Sequence, residues 1–105
     1  MPVDHDLTAV NEFPYHIRVT LTNANEAEDF ALPSPPLLIT VAPITNACRM
    51  AFAGTQGAQL TAAYKTVPGD TAYEVKQSVR QPAPTLYVDT ANAGTVVEIG
   101  LERPV

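Results

Sequence analysis

The chain predicts an all-β fold, a single antiparallel β-sandwich of seven to eight short strands, Ig-like or jelly-roll-like, behind an N-terminal arm. Three observations lead there. From Phe13 to Leu21 every second residue is apolar, with Pro14, His16, Arg18 and Thr20 between them; strand side chains alternate between faces, so this run offers one face to a core and one to water. The two-residue rhythm returns in later segments, and no segment carries a helical one. Turn signals recur at intervals of roughly 8–12 residues, the spacing of a two-sheet sandwich or small barrel. The 105 residues suit one domain, residues 1–12 forming the arm and 13–105 the sandwich.

Taken in order, Met1 to Glu12 mixes Pro2, Asp4 and Asp6 with isolated apolar residues and reads as an extended arm without a period. After the strand Phe13 to Leu21, the polar run Thr22 to Glu28 turns the chain into a short strand, Asp29 to Leu32. Pro33, Pro35 and Pro36 lack N–H donors and stop the ladder there. Leu37 to Val41 is branched and apolar, a strand buried over most of its surface, which Pro43 ends. Ala47 to Phe52 puts Cys48, Met50 and Phe52 on one face and Arg49 on the other. Gly54 to Gly57 is a loop, and Ala58 to Val67 alternates Leu60, Ala62 and Tyr64 as a further strand.

Pro68-Gly69-Asp70 is a turn, with proline presetting φ and glycine expected to take the positive φ. In the next strand, Thr71 to Gln77, Tyr73 and Val75 are expected inside and Glu74 and Lys76 outside. Gln81 to Pro84 is a second proline loop. Leu86 and Val88 alternate with Tyr87 and Asp89, and Asn92-Ala93-Gly94 connects to a last strand where Val97, Ile99 and Leu101 oppose Glu98, Gly100 and Glu102. Thr85 to Glu102 therefore predicts a β-hairpin.

Composition narrows the function classes. Charged residues make up 16% of the chain against a usual quarter or so, and hydrophobic ones 46%. Such a surface is covered by Thr, Ala, Asn, Gln and Pro. The net charge of −5 argues against a phosphate-binding surface, so nucleic acid is not an expected partner. No long apolar stretch announces a signal peptide or a membrane span, which makes synthesis in the cytoplasm and no membrane partner the expectation. The lone Cys48 excludes an internal disulfide and reads as a buried structural thiol.

Candidate chemistry is sparse. Asp4-His5-Asp6 is the one cluster of metal-ligand types, but three neighbours on an arm cannot enclose a cation, and a solvated arm is the favoured reading. His16 and Arg18 share the outer face of the first strand, where a base and an anion clamp are conceivable. Ser34 and Ser78 lack the flanking glycines of a nucleophile elbow, so no hydrolase triad is expected. Glu98 and Glu102, four apart on a strand, stand about 13 Å from each other, too far for glycoside hydrolysis. Tyr15, Tyr64 and Tyr73 run in phase with core residues and are expected at the core or its rim, whereas Tyr87 is expected outside. Neither a catalytic site nor a cofactor is predicted.

The order of segments FPYHIRVTLT, the proline-bounded LLITV, PGDTAYEV and TLYVDTANAGTVVEIGLE resembles the small β-sandwich virion proteins of tailed bacteriophages, especially those that decorate or cement the capsid shell. The resemblance spans Phe13 to Glu102 and rests on strand and turn patterns, the closing segment being the most characteristic. It implies a non-enzymatic decoration protein on the capsid surface of the virion. Such a protein bridges major capsid protein subunits and assembles with copies of itself as a trimer or another symmetric oligomer. Related members serve as head fibres or tail components. On that reading the arm residues Asp4, His5, Asp6 and Leu7, with His16, Arg18 and Tyr87, are the candidate partner contacts, and the arm clips a neighbouring subunit. Fewer glycines and a longer acidic arm set this chain apart from the pattern. A reading of another class is a carbohydrate-binding module using Tyr87 and the loops at Gln56 and Gln81.

Overall fold

A computed structural model describes residues 4–61, 64–77 and 84–103, and these form an all-β structure of two facing sheets. The strands are β1 (Asp4–Asp6), β2 (Tyr15–Leu21), β3 (Glu28–Ala31), β4 (Leu37–Pro43), β5 (Cys48–Ala51), β6 (Lys65–Val67), β7 (Tyr73–Gln77), β8 (Thr85–Asp89) and β9 (Thr95–Glu102). One sheet has the order β1-β3-β8-β5-β6 and the other β2-β9-β4-β7. Every pairing is antiparallel except that of β1 with β3. The β-sandwich expected from the alternation is the fold observed, and its radius of gyration of 12.6 Å is that of one compact unit of this length.

The alternation sorts residues as predicted. In β4 the odd positions Leu37, Ile39 and Val41 are fully buried, while the even ones reach the outer face. β9 lies between β2 and β4, and its Val97, Ile99 and Leu101 meet Phe30, Leu86 and Val88 of the opposite sheet in one continuous core. Pro43 is tolerated at the end of a central strand because β7 already stops at Tyr73, the partner of Val41. Among the described residues no neighbour asks for its missing N–H, and its carbonyl accepts from the Asp70 amide at 2.9 Å. Across the sandwich's end, Arg103 donates to the carbonyls of Ser34 and Pro36 and lies over the Phe13 ring, tying down the proline loop that has no ladder of its own.

Four expectations are corrected. The segment Thr85 to Glu102 is not a hairpin, because β8 and β9 sit at the centres of different sheets. Their link crosses between the sheets, held by the Thr90 and Thr95 hydroxyls 3.0 Å apart and by the Gly94 amide donating to Leu21, with Gly94 at φ 87°. The strand drawn from Ala58 to Val67 is a strand only at Lys65–Val67; residues 58–61 cross the outer face of the first sheet, and Ala62 lies outside the described residues. In the turn at Pro68 the left-handed φ belongs to Asp70, at 63°. Gly69 is needed for space instead, since a Cβ there would stand 2.6 Å from the Thr45 carbonyl oxygen. Finally, the predicted arm is a docked strand where it is described: Asp4–Asp6 pairs in parallel with β3, and the Leu7 amide extends that ladder to Ala31 while its side chain enters the core. The loop at Gln81 and Ser78 lies outside the described residues, apart from Pro84, whose carbonyl accepts from Leu32.

Candidate functional site

The residues singled out as partner contacts are dispersed, and most serve the fold. His5 stacks on Phe30 with ring centroids 4.3 Å apart, and its Nε2 lies 2.8 Å from Oε1 of the buried Glu28. Leu7 is core. Asp4 stands in β1 opposite Asp29. Asp6 is exposed, and its carboxylate accepts from the Thr8 hydroxyl and then the Thr8 amide, which hold its pKa below the usual value. His16 lies over Gly100, where a Cβ would come 2.9 Å from its Nδ1, so the glycine makes room for the ring. Beside it Arg18 pairs with Glu98 in the open. Glu98 is thereby placed in an ion pair and not in an acid–base dyad. Among the described residues no group of three or more His, Cys, Asp or Glu is placed to hold a metal ion.

Tyr87, expected outside, is half-buried beneath the loop that follows β5. That loop folds back so that Leu60 packs with Ala27, Ala51 and Tyr87 in a second small core on the outer face of the first sheet. Its anchor is Asp89, which alternation alone assigns to water but which is fully buried. One carboxylate oxygen accepts from Arg49 Nε at 2.7 Å and the other from the Leu60 amide at 2.9 Å. Arg49 also donates to the Asn25 side chain. The only sequence signal for this clamp was that Arg49 and Asp89 fall on the polar beat of their strands. Burial also governs Cys48, whose thiol is pushed up to about 12, first by desolvation and then by the negative charge of Asp89.

The surface with the character of a contact site is one that alternation placed at the core or its rim, and the structure puts it at the rim. Tyr64 and Tyr73 are 42% and 36% exposed, because β6 and β7 end their sheets and the sandwich gapes between them. A shallow groove of about 330 Å³ opens there, lined by Met50, Phe52, Tyr64, Lys65, Tyr73 and Val75. Lys65 Nζ lies 5.2 Å from the Tyr73 ring centre and Arg49 lies 5.9 Å from that of Tyr64, so the rings carry cations on an otherwise acidic protein. This combination of aromatic rings, few charges and a basic border is the composition of a binding patch. Comparison with family models, with curated proteins and with solved structures yields no match.

Proposed function

We propose that the protein is a structural, non-catalytic component of a tailed-phage virion that decorates the head shell by adhesion to major capsid protein subunits. The observation that carries this reading is the aromatic groove on a charge-poor sandwich. Tyr64 and Tyr73 expose rings that lose little conformational freedom on docking, half-buried Phe52 lines the groove between the sheets, and Lys65 offers a charge to an acidic partner surface. An adhesive module needs such a patch on a rigid frame, and the two-sheet core supplies the frame. Repeated over a shell, an interface of about 800 Å² per copy sums to a large resistance to rupture. The resemblance of the sequence segments FPYHIRVTLT, LLITV, PGDTAYEV and TLYVDTANAGTVVEIGLE to decoration proteins supports the same reading.

The test is occupancy on shells assembled from the major capsid protein of the same source. Saturable binding is expected, with Tyr64→Ser and Lys65→Glu each lowering affinity on the order of tenfold; binding indifferent to both changes would overturn the assignment of the groove. The exposed rings of Tyr64 and Tyr73 also favour a second reading, carbohydrate recognition by aromatic stacking. A glycan array separates the two, because a shell-binding protein shows no saccharide preference and a sugar-binding module shows one that Tyr64→Ser removes.

A further inference from the structure

We infer that β7 is a self-complementary edge on which two copies of this chain pair, joining their four-stranded sheets into one. β7 ends its sheet, and among the described residues its far edge takes no backbone hydrogen bond. An unpaired strand edge is a template for another strand. The occupant is named by the order of charges along Tyr73-Glu74-Val75-Lys76-Gln77. When two copies run antiparallel about a twofold axis through Val75, Glu74 of each copy faces Lys76 of the other, twice over, on the outer face. On the inner face Val75 meets its equivalent and each half-exposed Tyr73 meets Gln77 of the second copy.

The neighbouring symmetric registers are excluded by the same residues. A shift of the axis to Glu74 sets two carboxylates opposite each other, and a shift to Lys76 sets two ammonium groups opposite each other. Like charges directly across a ladder are destabilising. An axis between two residues would pair Glu74 with Val75 and turn the apolar face of one sheet toward water. Among the three central registers the charges thus favour one, and self-pairing closes at two copies, since an isologous edge contact leaves no free β7 behind.

This pairing does not rest on the virion assignment, because it is argued from the strand edge and the charges of Glu74 and Lys76, although Tyr73 and Val75 of the same strand also line the groove. Neither Glu74 nor Lys76 lines the groove, and both are exposed, so their substitution leaves the sandwich folded. The experiment is sedimentation velocity of the full chain over a wide concentration range, with circular dichroism confirming the fold of each variant. A dimer is expected. Lys76→Glu, which turns both cross-strand pairs into like-charge pairs, weakens it on the order of tenfold or more, and the double exchange Glu74→Lys with Lys76→Glu restores it. A monomeric wild-type chain, a closed trimer, or a dimer that ignores Lys76→Glu overturns the inference. Shell occupancy by the Lys76→Glu monomer is read separately, so loss of self-pairing and loss of adhesion are distinguishable.

Discussion

Burial decides which polar side chains matter. Arg18 and Glu98 are 68% and 44% exposed, so their attraction is screened by water, and Arg18→Ala is expected to change stability by under about 1 kcal/mol in urea unfolding. Arg49 and Asp89 are 15% and 0% exposed. Asp89→Ala strips the partner from both Arg49 and the Leu60 amide, for an expected loss of about 3–5 kcal/mol and faster protease cleavage within residues 52–61. Cys48 makes a second prediction with a definite sign. Its folded pKa near 12 exceeds the ordinary 9.0, so the folded state holds the proton more tightly than the unfolded one. The stability from this group is complete below pH 9 and is lost as pH rises from there toward 12, visible as a falling midpoint of thermal unfolding that Cys48→Ala flattens. Thiol reagents at pH 8 are expected to label Cys48 only as fast as the chain unfolds.

The elements show why alternation must be read with position in the sheet. In β9, Ile99 is flanked by β2 and β4 and is 1% exposed, so Ile99→Ala is expected to cost about 2–5 kcal/mol. Tyr73 sits on the same inward beat of β7, yet among the described residues no strand lies beyond it and its ring is 36% exposed; Tyr73→Ser is expected to lower stability by under about 1 kcal/mol. β1 illustrates the reverse case. Its three residues have no pattern of their own, but the pairing with β3, the stacking of His5 on Phe30 and the burial of Leu7 attach it to the sheet. Removing residues 1–12 therefore lowers stability by at least about 2 kcal/mol, measured by thermal unfolding, before any effect on adhesion is considered.

At the scale of the whole molecule, the two faces of the first sheet are both covered, one by the second sheet and the other in part by the loop that carries Leu60. The outer face of the second sheet keeps its polar residues in water, with the pairs Arg18–Glu98 and Glu74 beside Thr40. The side where β6 and β7 end their sheets presents rings, the Lys65 charge and an unpaired strand edge together. The shell and self-association experiments both address that side, because the proposed adhesion and the proposed self-pairing would each use it.

Much of this architecture was legible in the chain alone: the class of fold, the buried halves of β4 and β9, the half-buried inner face of β2, the buried thiol, the outward charges of β7. These follow from side-chain period, a local property that a strand carries wherever it is placed. Partner choice was not local. Alternation told that β8 and β9 each bury a face, but whether they bury it against each other's sheet or side by side depends on the packing of the nine described strands together. The same holds for Asp89, whose polar beat points outward until the loop bearing Leu60 closes over it. The groove, too, arises only because β6 and β7 are the last strands of their sheets, and period cannot tell which strand ends a sheet.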